Sequence, residues 1–178
     1  MVTVPASGPD PVVFPEPTDP RTTRAEVFLG YLDYFRERII DKLHRLPPEE
    51  AGRSRLPSGW SPAELAVHLR HVERRWLEWG FLGLEVDDPW ADEHDGRWRV
   101  PAGMDVAEVG EQLRRQGARS RSIVAAHRLD EVGQPGPRWR GAEPATLERV
   151  LFHLVQEYAR HLGQLDIVVE LVTGRTGE

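Results

Sequence analysis

Apolar residues recur at steps of three and four in four separate stretches of the chain, which is the spacing of an amphipathic α-helix. The first stretch runs from about Arg24 to His44 and ends before two consecutive prolines, which cannot continue a helix. The fourth, from about Ala145 to Val172, is the most regular. Its inward positions are Leu147, Leu151, Leu154, Tyr158, His161, Leu165, Val168 and Val172.

Capping sequences predict where the second and third helices begin. Ser61 precedes Glu64 by three residues, and in such a capping box the two side chains bond to backbone amides at the start of the helix. Asp105 and Glu108 have the same spacing before the third apolar stretch. Because no stretch alternates with a period of two, the pattern predicts an all-α protein, a four-helix bundle with long connections.

Proline and glycine predict the connecting segments. The first twenty residues contain six prolines, so we expect an extended arm over residues 1–20 and one bundle domain over residues 21–178. A connection of about twenty residues, 83–103, separates the second and third helices, and a Gly/Pro-rich one, 131–144, precedes the fourth. Loops of this length are usually functional, for example as covers over one end of a bundle.

Composition and charge exclude several classes of function. The net charge of −6, without a cluster of basic residues, argues against binding to nucleic acid or to an anionic membrane surface. There is no apolar run of membrane-spanning length and no signal-peptide pattern, so we expect a cytoplasmic protein. The chain has no cysteine, so any sulfur chemistry would have to come from a bound small molecule.

A polar stripe interrupts the apolar face of the fourth helix, in the sequence QEYARHLGQLD. Glu157, His161 and Gln164 follow one another at steps of four and three, which places them along one side of the helix. Glu157 and His161, four residues apart, are able to reach one metal ion. The alternative is structural: His161 as an ordinary core residue, and Glu157 paired with Arg160 or Arg70.

The second helix adds one more inward imidazole. His68 is on the same face as Leu65 and Val72, whereas His71 is rotated away and is expected near the surface. Two imidazoles and one carboxylate inside a bundle match the protein ligands of a catalytic zinc site with one open position. The acidic segment 87–95 does not have the spacing of a calcium-binding loop and is expected to be hydrated.

Gly163 is a further unusual feature of the fourth helix. Glycine in a helix interior costs about 1 kcal/mol relative to alanine, so its presence needs a compensating reason. The sequence leaves two explanations open: close packing of another helix, or close approach of a ligand.

Two blocks together, PSGWSPAELAVHLRHVERRW and LFHLVQEYARHLGQLDIVVELVTGRTGE, resemble the DinB-like superfamily of four-helix metalloproteins. The resemblance covers about residues 20–178 and is to the branch of mycothiol-dependent transferases and isomerases. It implies a metal held by His68 of the second helix and by Glu157 and His161 of the last. Many members have histidine in place of Glu157, and the glutamate favours the thiol-dependent branch. Gln164, in the family's H-x-G-Q segment, is expected to support the ligands.

The resemblance implies a thiol S-transferase or a thiol-dependent isomerase. Its co-substrates would be a low-molecular-weight thiol such as mycothiol and a small electrophile, and its ion would be zinc, with nickel as the alternative. The same site with a metal-activated water would make a hydrolase, in which His153 is the candidate general base, or else a residue at the rim. A third hypothesis is a non-catalytic bundle that binds a partner. By analogy with similar bundles, we expect a possible homodimer.

Overall fold

The computed structural model describes residues 13–21 and 23–176, so residues 1–12 of the predicted arm lie outside the described part. It confirms the all-α fold. The described helices are α1 (Arg24–Arg45), the single-turn α2 (Pro48–Ala51), α3 (Pro62–Glu73), α4 (Val106–Ala126) and α5 (Leu147–Thr173). The four long helices form the bundle, in which α1 and α3 each pack against both α4 and α5. No helix in the described ranges is long and apolar enough to cross a membrane.

The helices begin where the capping residues predict. The side chain of Ser61 accepts a hydrogen bond from the Glu64 amide, and the Glu64 side chain bonds back to the Ser61 amide, which confirms the capping box of α3. Asp105 accepts a hydrogen bond from the Glu108 amide at 2.8 Å and begins α4. A similar box at Thr23, before α1, was not predicted.

α3 does not end at Glu73 but continues as a π-helical segment, Arg74–Phe81. The hydrogen bond from the Leu82 amide to the Leu77 carbonyl, 2.9 Å long, spans five residues as in a π-helix. Segments of this kind widen a helix by one residue per turn and occur often at functional sites. Here the segment carries Trp76 and Arg75, which contribute to the site described below.

The connection 83–103 contains a small hairpin that the sequence did not predict. Its strands β1 (Glu93–His94) and β2 (Arg97–Trp98) are antiparallel, with Glu93 opposite Trp98. Trp98 is partly buried against the core, so the hairpin lies on the bundle. The loop is therefore folded, although Asp87, Asp88, Glu93 and Asp95 remain exposed.

The connection 131–144 is folded onto the π-helical segment. It contains a 3₁₀ turn, Pro137–Trp139, in which the indole nitrogen of Trp139 donates to the Gln134 carbonyl oxygen at 2.9 Å. The Gln134 amide donates to the carbonyl oxygen of Phe81 at 2.8 Å. These bonds hold the turn against the end of the π-helical segment.

The core is mainly leucine, isoleucine and valine, but a buried carboxylate lies at its centre. Glu73 is fully buried and accepts hydrogen bonds from the guanidinium of Arg36 on α1, at 3.0 and 3.3 Å. It also accepts from the hydroxyl groups of Ser120 on α4 and Tyr158 on α5. A Cβ atom at Gly117 would overlap the Arg36 guanidinium, so the glycine makes room for this network. No local sequence pattern predicts this cluster.

The described end of the predicted arm, residues 13–21, lies on α1. Phe14 packs edge-on against the rings of Tyr31 and Tyr34, with centroids 6.0 and 5.1 Å away.

Candidate metal centre

Three residues of two helices converge on one side of the core. His68 of α3 and Glu157 and His161 of α5 each offer a ligand atom, and these atoms all lie within 4.8 Å of one another. Zinc binds such atoms at about 2.0–2.2 Å, so small side-chain rotations would bring all three to one ion. The structure thus brings together the residues that the sequence singled out.

His68 is oriented by a carboxylate from the hairpin loop. Its Nδ1 atom lies 3.0 Å from Oδ2 of Asp92, and its ring stacks on Trp98 with centroids 4.0 Å apart and planes inclined by 17°. Burial lowers the pKa of His68 and outweighs the opposing effect of Asp92, so the ring is neutral near pH 7. A neutral ring that donates from Nδ1 to a carboxylate has a free lone pair on Nε2, the state that a metal ligand requires.

Asp92 itself is held in place by an arginine. It is 1% exposed, and Nη1 of Arg75 donates to its Oδ1 atom at 2.6 Å. Although burial alone raises the pKa of Asp92, hydrogen bonds from His68 and Arg75 lower it to about 2. The prediction that segment 87–95 is merely a hydrated acidic loop is therefore wrong at Asp92. The contact joins residues far apart in sequence, and no local pattern marks it.

His71 is also buried, at 1% exposure, which contradicts the prediction of a surface position. Its Nε2 atom lies 2.5 Å from a guanidinium nitrogen of Arg70. Burial and the charge of Arg70 lower the pKa of His71 to about 4. The prediction considered only the face of the helix that carries His68. The Nδ1 atom of His71 lies 3.9 Å from Oδ1 of Asp92, so the connection 83–103 reaches over this side of α3.

Glu157, His161 and Gln164 lie side by side on α5, as their spacing predicts. Nε2 of His161 is 3.3 Å from Oε2 of Glu157, and Nδ1 of His161 is 2.9 Å from Oε1 of Gln164. The hydrogen bond from His161 lowers the pKa of Glu157, which keeps this carboxyl group ionised. Glu157 forms no ion pair with Arg160 or Arg70 among the described residues; its partners are His161 and His153.

His153 lies at the edge of this cluster. Its Nε2 atom is 3.5 Å from Oε1 of Glu157, and its ring meets Trp76 edge-on with centroids 4.6 Å apart. Partial burial lowers its pKa. The geometry fits a rim residue and leaves the imidazole accessible.

Gly163 does not make room for another helix of the described residues, which was the first of its two explanations. It is exposed, and a Cβ atom placed there would meet no other heavy atom within 4 Å. Close packing of another helix of this chain is therefore excluded in the described ranges.

The family of the chain is shown by a comparison of its sequence with known families. The profile described as mycothiol-S-transferase matches residues 27–174. The chain belongs to this family. Among curated proteins, none matches the chain in sequence.

Solved structures agree with a DinB-like fold for this member of the mycothiol-S-transferase family. One similar structure is described as a conserved protein of a locus from Enterococcus faecalis. Its TM-score is 0.63 at 19% sequence identity, over 87% of this chain and 100% of that chain. At this identity the likeness shows the fold alone.

The site of this family member is distinct from a cavity of about 660 Å³ at another part of the bundle. That cavity lies between the end of α1 and the beginnings of α3 and α4, and its lining includes Leu43, Leu46, Ser61, Val100 and Met104. None of the three converging residues lines it. The candidate functional site is the cluster of His68, Glu157 and His161, whose side chains have metal-binding chemistry.

Proposed function

We propose that this member of the mycothiol-S-transferase family binds a divalent metal ion, zinc in the first instance, through His68, Glu157 and His161. There it joins a low-molecular-weight thiol such as mycothiol, through its sulfur, to an electrophile. The observation that supports this most is that the three ligand atoms lie within 4.8 Å of one another. Two of these atoms belong to imidazoles whose Nδ1 atoms contact Asp92 and Gln164.

The donor set fits the ion. Asp92 and Gln164 each engage the Nδ1 atom of one histidine, so both rings direct Nε2 toward the cluster. His161 has acceptor atoms beside both of its nitrogens, Gln164 on one side and Glu157 on the other. A neutral imidazole carries only one N–H, so if Nε2 of His161 held a metal ion, its Nδ1 would remain the donor to Gln164. With three protein ligands, the fourth position of a tetrahedral ion is open to a substrate.

The chain itself has no thiol, so the nucleophile has to be bound from solution. A divalent ion at the site supplies the positive charge that deprotonates a thiol near neutral pH. His153, neutral because burial lowers its pKa, is the group at the rim that accepts the released proton. The sulfur then forms a bond to the electrophilic carbon. In a substitution, the leaving group departs with the electron pair of the broken bond. In an addition, the π electron pair of the attacked double bond moves to the neighbouring atom.

The aromatic residues around the cluster restrict access of water. Trp98 covers one face of His68 and lies 5.4 Å from His161, and Trp60 packs behind Trp98 at 6.4 Å between centroids. Exclusion of water strengthens the electrostatic interactions between the site and a bound thiolate. Trp76 forms the corresponding wall beside His153.

The test begins with the metal content of untagged protein, measured by mass spectrometry for the wild type, His68→Ala and His94→Ala. His94 is the matched control because its side chain is 68% exposed, on the hairpin. We expect about one ion per chain in the wild type and in the control, and close to none in His68→Ala. No metal in any of the three after reconstitution with zinc would contradict the proposal and favour a non-catalytic bundle.

The second part measures consumption of mycothiol with a chromogenic electrophile. Activity that requires both the metal and mycothiol supports S-transfer. Cleavage of an ester without any thiol would instead support the hydrolase, with His153 as the base of a metal-activated water.

A further inference from the structure

A positively charged side chain without a counter-ion lies beside the proposed metal centre. The guanidinium of Arg138 sits over the ring of Trp76, with its carbon 3.8 Å from the ring centroid. Its Nε atom is buried without a hydrogen-bond partner, and within the described ranges no carboxylate pairs with it. Burial, together with the charges of Arg75 and Arg140, lowers the pKa of Arg138, a sign that its charge is not compensated.

The surrounding backbone fixes the position of Arg138. It belongs to the 3₁₀ turn Pro137–Trp139, which packs on the π-helical segment. A Cβ atom at Gly80 would lie 3.2 Å from the Arg75 carbonyl oxygen and 3.4 Å from Cγ of Arg138, so the glycine permits this close approach. The turn is also anchored by the Trp139 indole, as described above. An arginine held in this way has lost much of its rotamer freedom before any ligand arrives.

Arg138 is close to the cluster through one aromatic ring. Trp76 contacts both the Arg138 guanidinium, 3.8 Å from its ring centroid, and the His153 ring, at 4.6 Å between centroids. His153 is in turn 3.5 Å from the Glu157 carboxylate. An anionic group bound to Arg138 would therefore lie within the length of a small molecule from the proposed reaction centre.

The charges at this end of the bundle leave room for one more anion. Arg75 and Arg138 are positive and Asp92 and Glu157 are negative, and the charges of Arg140 and Arg160 nearby are also positive. Arg75, however, is already paired with Asp92 at 2.6 Å, whereas Arg138 is not paired. A divalent ion would add two positive charges, of which a bound thiolate neutralises one. The remaining positive charge suits a single carboxylate on the other substrate.

We propose that Arg138 binds a carboxylate of the electrophilic substrate, so that the site selects electrophiles bearing an acidic group near the reacting carbon. This inference rests on the proposed function for the identity of the ligand as a substrate, but the anion site itself does not. A planar guanidinium donates two parallel hydrogen bonds to a carboxylate, which an amide or ester analogue cannot accept in the same way.

The first experiment measures binding without any reaction. The probes are 4-methylbenzoate and the uncharged 4-methylbenzamide, titrated by calorimetry and by tryptophan fluorescence into wild type, Arg138→Gln and the control Arg140→Gln. Arg140 is exposed and lies two residues further along the chain. We expect the benzoate to bind more tightly than the benzamide, and Arg138→Gln to lose roughly tenfold or more in benzoate affinity. Arg140→Gln should stay within about twofold of the wild type.

Equal affinity for benzoate and benzamide, or an equal loss in both variants, would overturn the inference. Far-UV circular dichroism and metal content of Arg138→Gln establish that the variant is folded. Arg138→Lys keeps the charge but not the planar pair of donors, and should recover only part of the affinity. A full recovery by lysine would also contradict bidentate recognition.

The second experiment uses 4-(bromomethyl)benzoate and its amide with mycothiol. The thiolate sulfur attacks the benzylic carbon, a carbon–sulfur bond forms, and bromide leaves with the electron pair of the broken bond. We expect Arg138→Gln to lower kcat/KM for the carboxylate roughly tenfold to hundredfold and to change that for the amide less than about threefold. If benzoate binding depends on Arg138 but no thiol transfer occurs, the proposed function fails and the anion site stands. If thiol transfer occurs equally well with the carboxylate and with the amide, the proposed function stands and the anion site fails.

Discussion

Nδ1 of His68 lies 3.0 Å from Oδ2 of Asp92, a residue 24 positions later in the chain. Asp92 thereby holds the imidazole in one orientation and one tautomer, with Nε2 directed toward Glu157 and His161. A carboxylate behind a metal-binding histidine also raises the basicity of the ring. The hairpin loop that carries Asp92 is for this reason a part of the site and not only a cover.

Asp92→Ala should weaken zinc binding by about 10- to 100-fold without abolishing it. The loss follows from a His68 ring that is free to rotate and to change tautomer. Competition with a chelator of known affinity measures it. Asp95→Ala is the control, since that side chain is 88% exposed on the same loop. An equal effect from both variants would mean that Asp92 acts only through the general charge of the loop.

His161→Ala should abolish zinc binding, whereas Gln164→Ala should weaken it by about 10- to 100-fold. Gln164 contacts only the Nδ1 side of His161, at 2.9 Å, so its removal loosens the ligand without removing it. The same competition titration distinguishes the two results. A Gln164→Ala protein with wild-type affinity would show that packing alone orients His161.

Glu73→Ala should destabilise the fold by about 3–5 kcal/mol, because it leaves the buried guanidinium of Arg36 without its main partner. Ser120→Ala removes only one of the four donors and should cost about 1–2 kcal/mol. Urea unfolding of the metal-free proteins measures both. Glu111→Ala, on the exposed face of α4, should change the free energy of unfolding by less than about 0.5 kcal/mol. A similarly small change for Glu73→Ala would contradict the buried network.

The stability of the metal-free protein should fall as the pH is lowered from about 6.5 toward 4, in part because of His71. Its pKa is lowered to about 4 in the folded state, whereas the unfolded chain titrates near 6.5. Between these two pH values the unfolded chain binds more protons than the folded protein, so lowering the pH favours unfolding. His71 accounts for a loss of roughly 3 kcal/mol at most in the free energy of unfolding. His71→Gln should flatten this dependence in urea unfolding at several pH values. An unchanged slope would assign the effect to other groups.

Gly163→Ala should stabilise the protein by about 1 kcal/mol, since a Cβ atom there meets nothing and alanine is the better helix former. Thermal unfolding measures the gain, and zinc titration checks that the metal affinity is kept. A loss of stability, or a weaker metal site, would indicate that the glycine accommodates a second chain or a ligand.

The helices and the polar stripe on α5 were predictable from local sequence. Steps of three and four fix which residues share a face of α5, and so Glu157, His161 and Gln164 had to lie together once the helix formed. The capping residues Ser61 and Asp105 act on backbone groups within one turn, and they gave correct starts for α3 and α4. These features depend on neighbours along the chain and need no knowledge of the fold.

What the sequence could not supply depends on contacts between distant segments. His71 was predicted to be exposed because one helix has one obvious apolar face, but the folded connection 83–103 brings Asp92 to 3.9 Å from its ring. Asp92 looked like one of several acidic loop residues until the folded hairpin brought it to His68 and Arg75. Arg36 and Glu73 looked like charged residues of two separate helices.

The sequence alone therefore determined the helices and the faces on which His68, Glu157 and His161 lie, because side-chain periodicity and capping are local effects, and its two motif blocks carried the resemblance to the family. Only the tertiary structure decided which charges are buried, which are paired, and which, like Arg138, have no carboxylate partner among the described residues. Burial and pairing depend on the distance between residues far apart in the chain. Those distances are set by how helices and loops pack, and they appear in no local pattern of the sequence.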